Sequence, residues 1–278
     1  SITIPSSVTS INKYAFADCT KLASISIPQG VISIGNNAFS DCTNLESIDI
    51  PSSVTSMGDF VFSSCINLIS IIIPPSVTSI GLRAFYNCKN LTSITISSGV
   101  RFIDSSPFYL CIKLASISIP SSVVSIGNNA FEGCSSLTHI FVENGNLEYA
   151  SIDGILFTKD MRILICHPPC HHNLIYNIPS GVTSISDNAF ANCQKLTSIT
   201  IPQGVTSIGN YGFNRCINLA SITIPSTIIS IGKNAFMSCI KLSTISSTFD
   251  INSFRQTVFP FLSEIQSKPQ LAFSTDFE

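Results

Sequence analysis

The chain has 278 residues, of which 45% are hydrophobic and only 11% are charged, and its formal net charge at pH 7 is −2. No basic cluster is present, which excludes nucleic-acid binding by phosphate neutralisation. Ser, Thr and Asn separate the apolar residues, so no run approaches the roughly 18 apolar residues of a membrane-spanning helix and no membrane span is predicted. The first five residues already belong to a repeat, and no signal peptide is visible.

A 23-residue unit recurs along nearly the whole chain and is marked by columns of Phe, Cys and Leu. Each column cysteine has a Phe three residues before it and a Leu three residues after it. These cysteines are Cys19, Cys42, Cys65, Cys88, Cys111, Cys134, Cys193, Cys216 and Cys239. Because one unit cannot bury its own apolar face, the units are predicted to stack as a solenoid.

The first part of each unit has the pattern of a short strand. In one unit Leu22, Ile25 and Ile27 alternate with serines, which is typical of a strand with one buried face. Pro28 ends this strand because proline cannot donate to a ladder. A second short extended run, 31–34, follows the proline. Each unit is therefore predicted to contribute one strand and a second short extended run to the stack.

The second part of each unit has the pattern of a turn. Gly35 stands in a column of mostly Gly, Asn and Asp, the residues that tolerate positive φ, so this column is predicted to be left-handed. The segment Asn36 to Cys42 predicts a short helical or 3₁₀ turn that carries Phe39 inward. The Phe column is predicted to form a continuous spine beneath the turns.

The string I-P-x-x-V-T-S-I-G-x-x-A-F-x-x-C-x-x-L-T-S-I-T, nearly whole from Ile178 to Thr200, resembles the BspA-like class of leucine-rich repeats. The resemblance covers residues 1 to about 247. It implies an α/β leucine-rich-repeat solenoid, a strand-dominated, right-handed, curved stack of parallel β-strands with short turns or 3₁₀ helices on the other side. By analogy it also implies secreted or cell-surface proteins that bind host proteins or matrix, although a fold does not fix a function.

The repeat is interrupted once within the predicted solenoid domain, 1–247, which contains about eleven strands. The strand ends Val142 and Ile178 are 36 residues apart, 13 more than one period. In the irregular coil 143–178, two apolar runs flank Thr158 to Arg162 and predict a β-hairpin. A structural island that continues the core is favoured over a protruding ligand-binding element, because its apolar residues have to be buried.

The segment 248–278 follows the last repeat and is predicted to be a partly helical C-terminal cap on the last coil. The helical part rests on the spacing of Ile251, Phe254, Val258, Phe261, Leu262 and Ile265. Membrane-surface binding is a weaker alternative, because the segment carries only Arg255 and Lys268 as cations.

The cysteines and histidines offer two chemical interpretations. Cys166, Cys170 and His171 are candidate zinc ligands, but their C-x₃-C-H spacing lacks a second half-site, so no metal or other cofactor is predicted. The column cysteines are predicted to be free buried thiols, because in-register side chains point the same way instead of toward each other. No motif pairs a nucleophile with a base, so the chain is predicted not to be an enzyme.

Four residues depart from the Ser/Thr pattern on the solvent face of the strands: Asp49, Ile72, His139 and Phe141. Exposed Ile and Phe on a sheet face are informative, so these four are the predicted binding residues, with drift in a tolerant repeat as the alternative. The predicted function is a non-catalytic, adhesion-like module, monomeric and surface-displayed, that binds a protein partner through its extended sheet face. Two alternatives are a structural spacer or display segment of a larger surface protein, and a binder of glycans or ordered surfaces through the Ser/Thr ladder.

Overall fold

The alternating strands of the repeat stack coil on coil into parallel sheets. The computed structural model describes residues 2–247 and 272–274, which divide into unit 1, Ser1–Asp153, and unit 2, Gly154–Glu278. The chain is a strand-dominated parallel β-solenoid of about 11 turns, as the sequence predicts. The described residues contain no helix long and apolar enough to cross a membrane.

Unit 1 has two columns of parallel strands in register at 23-residue steps, such as Ile25 opposite Ile48. The first column contains β1 (Ile2–Thr3), β3 (Ser24–Ser26), β5 (Ser47–Asp49), β7 (Ser70–Ile73), β9 (Ser93–Ile96), β11 (Ser116–Ile119) and β13 (His139–Val142), followed in the chain by β14 (Tyr149–Ile152). The second column contains β2 (Ser10–Ile11), β4 (Ser33–Ile34), β6 (Ser56–Met57), β8 (Ser79–Ile80), β10 (Phe102–Ile103) and β12 (Ser125–Ile126). Pro28 and its equivalents separate the two columns, as expected for a residue that cannot donate to a ladder.

Unit 2 begins with an antiparallel pair and continues in the same parallel manner. The antiparallel pair is β15 (Ile155–Thr158) with β16 (Ile163–Cys166), after which β16 joins the parallel strands β18 (Ser184–Ile185), β20 (Ser207–Ile208) and β22 (Ser230–Ile231). The other sheet contains β17 (Ile175–Asn177), β19 (Ser198–Thr200), β21 (Ser221–Ile224), β23 (Thr244–Ser247) and β24 (Ala272–Ser274), in that order. Ile155, Phe157 and Leu164 are buried in the core of unit 2, so the hairpin supplies core residues.

The C-terminal cap predicted for 248–278 can be described only at β24, which pairs in parallel with β23. The predicted helical part, 249–267, lies outside the described residues.

The Phe column forms the predicted spine in each unit. In unit 1 the rings stack nearly parallel, and the centroids of Phe62 and Phe85 are 5.6 Å apart and those of Phe85 and Phe108 6.0 Å apart. In unit 2 Phe213 stacks on Phe190 at 4.8 Å and on Phe236 at 5.2 Å. Offset aromatic stacking adds to the free energy gained by burying each ring, so this column is a continuous core contact within each unit.

The turns are not helical, which corrects the 3₁₀ part of the prediction. Amide groups in the turn alternate between partners: Ala38 N donates to Gly35 O within the turn, and Phe39 N donates to Val61 O in the next coil. Asn37 and Asp41 have positive φ, 56° and 58°, so successive amide N–H groups point in different directions. A 3₁₀ helix would direct every amide back along its own turn, whereas half of these amides link the coils.

The prediction of a left-handed glycine column is also wrong. Gly35 and its glycine equivalents do not have left-handed φ. A Cβ on Gly35 would lie 2.6 Å from Lys13 N, and one on Gly127 would lie 2.6 Å from Ser105 N. Both contacts are with the backbone of the preceding coil. The close approach of neighbouring coils therefore favours glycine at Gly35 and Gly127, although Asp104 occupies the same column in another coil.

The cysteine column is held by a repeated hydrogen bond. The Cys88 thiol donates to the carbonyl oxygen of Phe62 at 3.1 Å, and the Cys111 thiol donates to Phe85 O at 3.2 Å. All eleven cysteines are free thiols in the structure. Burial, and next the neighbouring Cys65, raise the pKa of the Cys88 thiol well above its ordinary value. The Cys88 thiol is therefore a protonated hydrogen-bond donor, the opposite of a reactive thiolate.

Where the irregular coil begins, side chains that depart from the repeat hydrogen-bond to the backbone of the preceding coil. Asn146 is fully buried in the Val column, and its Nδ2 donates to Pro120 O at 2.9 Å and to Val123 O at 3.0 Å. The Tyr149 hydroxyl accepts a hydrogen bond from Ile126 N at 2.8 Å, and burial raises the pKa of this tyrosine. These contacts satisfy backbone groups of the preceding coil, so the departure from the repeat here is structural.

Candidate functional site

The outward face of the first strand column in unit 1 carries the predicted binding residues. Ile72 is 64% exposed on β7, and Phe141 is 51% exposed on β13. Asp49 is exposed on β5 and His139 is half-buried on β13. Strand alternation explains these positions, because residues two apart lie on one face and the residues between them face the core.

The structure brings together only some of these residues. His139 and Phe141 lie on the same face of β13, and their rings stack with centroids 5.6 Å apart and an interplanar angle of 3°. Asp49 lies one coil before Ile72. Thr95 and Ser118 stand between Ile72 and Phe141 in the same outward column. Three strand steps of about 4.8 Å place Phe141 about 14 Å from Ile72.

Two exposed neighbours, Glu46 and Ile69, were missed in the sequence. Ile69 is 50% exposed, Glu46 is exposed, and Ile69 N donates to Glu46 O at 3.1 Å, so the two residues stand in adjacent coils. The sequence signal was the column that directly follows each repeat Leu, which otherwise holds Ala or Thr in unit 1. A large apolar or an acidic residue in that column is as irregular as Asp49 and Ile72 in theirs.

The candidate zinc residues do not form a cluster. Among the described residues of unit 2, the donor atoms of Cys166, Cys170 and His171 do not all come within 4.8 Å of one another. Counting back 23 residues from Phe190 and Cys193 instead gives His167 and Cys170, so this stretch is a repeat turn. His167 N donates to Ala189 O at 2.7 Å, the bond that Phe190 N makes to Gly212 O in the next coil.

His167 occupies the Phe position of its coil. It is buried, its ring stacks on Phe190 with centroids 5.0 Å apart, and Tyr176 meets it edge-on at 5.1 Å. Its Nδ1 lies 3.4 Å from the Cys193 thiol, and its carbonyl oxygen accepts from that thiol at 3.5 Å. The carbonyl contact is the one that the Phe column makes elsewhere, so the imidazole acts as a core ring.

Replacing His167 with Phe is expected to stabilise unit 2 by about 1 kcal/mol, because an apolar ring of similar shape completes the spine. The reverse exchange one coil later, Phe190→His, is the matched control and is expected to destabilise the same core. Urea unfolding followed by circular dichroism measures both changes. A loss of stability in His167→Phe would show that the imidazole contacts outweigh apolar stacking.

Unit 2 also has a shallow cleft of about 350 Å³ on its second strand column. Ser184, Ser207 and Ser230 line it together with Asp187 and Asn210. The Ser184 and Ser207 hydroxyls hydrogen-bond to each other at 2.8 Å, and Asp187 Oδ1 accepts from Asn210 N at 2.6 Å. These groups satisfy one another, and no histidine lines the cleft to activate a serine, so it lacks the nucleophile–base pair of a hydrolytic site.

Comparisons with known proteins agree with this architecture. The BspA type leucine-rich repeat region matches residues 1–104, 58–159 and 170–269, as 6 copies. No curated protein matches the chain. The crystal structure of the pneumococcal vaccine antigen PcpA has a TM-score of 0.78 at 24% identity, over 90% of this chain and 72% of that one, which shows likeness of fold.

Two further solved structures are slightly more similar in sequence. A leucine-rich repeat protein from Eubacterium ventriosum has a TM-score of 0.63 at 27% identity, over 88% of this chain and 59% of that one. A leucine rich cell surface protein from Faecalibacterium prausnitzii has a TM-score of 0.59 at 25% identity, over 99% of this chain and 90% of that one.

These families and structures are generally non-catalytic, and they indicate a repeat module of the kind used for protein interaction. Because the repeat family matches most of the length of this chain, the chain belongs to the BspA-type leucine-rich repeat family.

Proposed function

We propose that this chain is a secreted or surface-displayed, adhesion-like module that binds a protein partner through the outward strand face of unit 1. The Faecalibacterium prausnitzii relative is described as a cell surface protein, which supports the proposed location. The non-catalytic repeat family supports a binding role over a chemical one. We further propose that the chain acts as a monomer.

The exposure of Ile72 and Phe141 in a column of hydroxyl residues is the observation that carries the proposal. A strand face needs no large apolar residue for folding, because Ser and Thr fill the same position in most other coils. Apolar side chains left on a polar surface lower the free energy of association when a partner covers them. Aromatic residues such as Phe141 are also enriched at protein interfaces.

The test compares the partner affinity of the wild-type chain with that of variants in which serine, the common residue of this column, replaces the exposed apolar residue. Ile72→Ser and Phe141→Ser place serine where other coils already have a hydroxyl residue, so both variants are expected to keep the fold. Each is expected to raise the Kd of a partner captured from host-cell surface extracts by about tenfold, equivalent to about 1.4 kcal/mol. Ile229→Ser, at an exposed site in unit 2, is the matched control and is expected to leave the Kd unchanged.

An unchanged Kd in the Ile72→Ser, Phe141→Ser double variant would contradict the proposed surface. Loss of affinity only in Ile229→Ser would assign binding to a different face. Failure of the wild-type chain to retain any partner would favour the structural spacer.

A further inference from the structure

Two acidic and two apolar side chains form an exposed patch on β5 and β7 of unit 1 and on the residues just before these strands. The acid–apolar patch consists of Glu46 and Asp49 on one coil and Ile69 and Ile72 on the next. All four side chains are exposed, and the hydrogen bond from Ile69 N to Glu46 O places the coils directly beside each other. The patch therefore repeats one arrangement twice, with a carboxylate beside a branched apolar side chain.

The patch has no cation of its own. Residues 43–50 and 66–73 contain Glu46 and Asp49 but no Lys or Arg. The coils on either side present small residues at the equivalent positions, Ala23 and Ser26 before the patch and Thr92 and Thr95 after it. Both the charge and the apolar area are thus confined to two coils.

This combination restricts the partner. A surface that covered Ile69 and Ile72 would also remove water from Glu46 and Asp49, and a desolvated carboxylate without a partner is costly. A purely apolar segment would leave both carboxylates unpaired. An acidic protein, a nucleic acid or an anionic membrane would be repelled. Only a segment that supplies cations next to apolar side chains satisfies both halves of the patch.

We infer that the acid–apolar patch docks a cationic amphipathic segment of the protein partner, with Lys or Arg beside Leu, Ile or Phe. The inference rests on the proposed function and names the chemistry of its partner. Glu46 lies just before β5 and Asp49 ends it, so their Cα atoms are three residues and at most about 10 Å apart. The partner segment therefore carries two cation–apolar pairs no more than about 10 Å apart, within the separation of residues i and i+7 on a helix.

The test is selection of a random dodecapeptide display library on the full chain. Enriched peptides are expected to carry Lys or Arg next to an apolar residue and to weaken as salt is raised, because the exposed charges become screened. Their Kd is expected to rise about tenfold in the Glu46→Gln, Asp49→Asn double variant, which keeps side-chain shape and removes charge. The matched control, Asp18→Asn with Asp41→Asn, removes two carboxylates from the turns instead of the strand face and is expected to leave the Kd unchanged.

Peptides without cationic enrichment, peptides whose Kd is unaffected by neutralising Glu46 and Asp49, or no enriched peptide would each overturn the inference. The proposed function is separated from it by the captured partner. If the partner is lost in Ile72→Ser and Phe141→Ser but retained in the Glu46→Gln, Asp49→Asn variant, the interaction face stands and the cationic segment does not.

Discussion

Replacing Phe85 with alanine is expected to lower the free energy of unfolding by about 3–5 kcal/mol. The ring is fully buried and stacks on Phe62 and on Phe108, so truncation opens a cavity in the middle of the spine. In a repeat array each coil is stabilised mainly by its neighbours, so a break between two coils weakens both interfaces. Urea unfolding followed by circular dichroism measures the change.

Phe102→Ala is the matched control, because it removes the same atoms from a ring that is 49% exposed on β10 in the coil next to that of Phe85. We expect this variant to lose less than about 1 kcal/mol, since surface substitutions have small effects. Equal losses at the two positions would contradict the role of the Phe column as a core contact between coils.

Replacing Gly127 with alanine is expected to destabilise the protein by about 2–3 kcal/mol, although only a methyl group is added. Its Cβ would lie 2.6 Å from Asp104 C and 2.6 Å from Ser105 N. Both atoms belong to the backbone of the preceding coil, so a side-chain rotation cannot relieve the clash. Thermal and urea unfolding both report the loss.

Gly181→Ala gives the opposite expectation and serves as the control. No atom lies within 4 Å of its ideal Cβ, and its φ is outside the left-handed region. We expect this variant to be neutral or more stable by about 0.5 kcal/mol, because alanine restricts the unfolded chain. A neutral result at Gly127 would mean that the coils can separate locally to accept a methyl group.

The strands and the spine could be predicted because the repeat aligns the sequence with itself. Leu22, Ile25 and Phe39 recur at fixed positions in unit after unit, and burial of a shared face explains their spacing. The role of Gly35 could not be deduced in the same way. Positive φ and close backbone approach both select glycine, and only the position of the neighbouring coil distinguishes them.

The turn conformation and the position of His167 in the repeat were not predicted correctly, for different reasons. A turn amide such as Phe39 N bonds to the next coil, and a single repeat considered alone contains no partner for it. His167 was identifiable, since it stands 23 residues before Phe190. The 13 extra residues of the irregular coil interrupt the 23-residue register, which returns only after the hairpin.

The candidate site was only partly predictable for a related reason. Asp49 and Ile72 stand out because they interrupt a serine column, but Glu46 and Ile69 lie in a column that varies among small residues. Their significance comes from adjacency across coils, which the hydrogen bond between Ile69 N and Glu46 O defines. A binding surface on a repeat protein is assembled from several coils, so columns have to be compared together.

Hydroxyl-radical footprinting of the chain with its captured partner tests most directly whether the strand face of unit 1 is the interface. Ile72 and Phe141 are both accessible in the chain alone, as are Phe102 on β10 and Ile229 just before β22. The partner is expected to protect Ile72 and Phe141 from oxidation and to leave Phe102 and Ile229 as reactive as before. Protection of Phe102 or Ile229, with Ile72 and Phe141 still fully oxidised, would contradict the proposed interface.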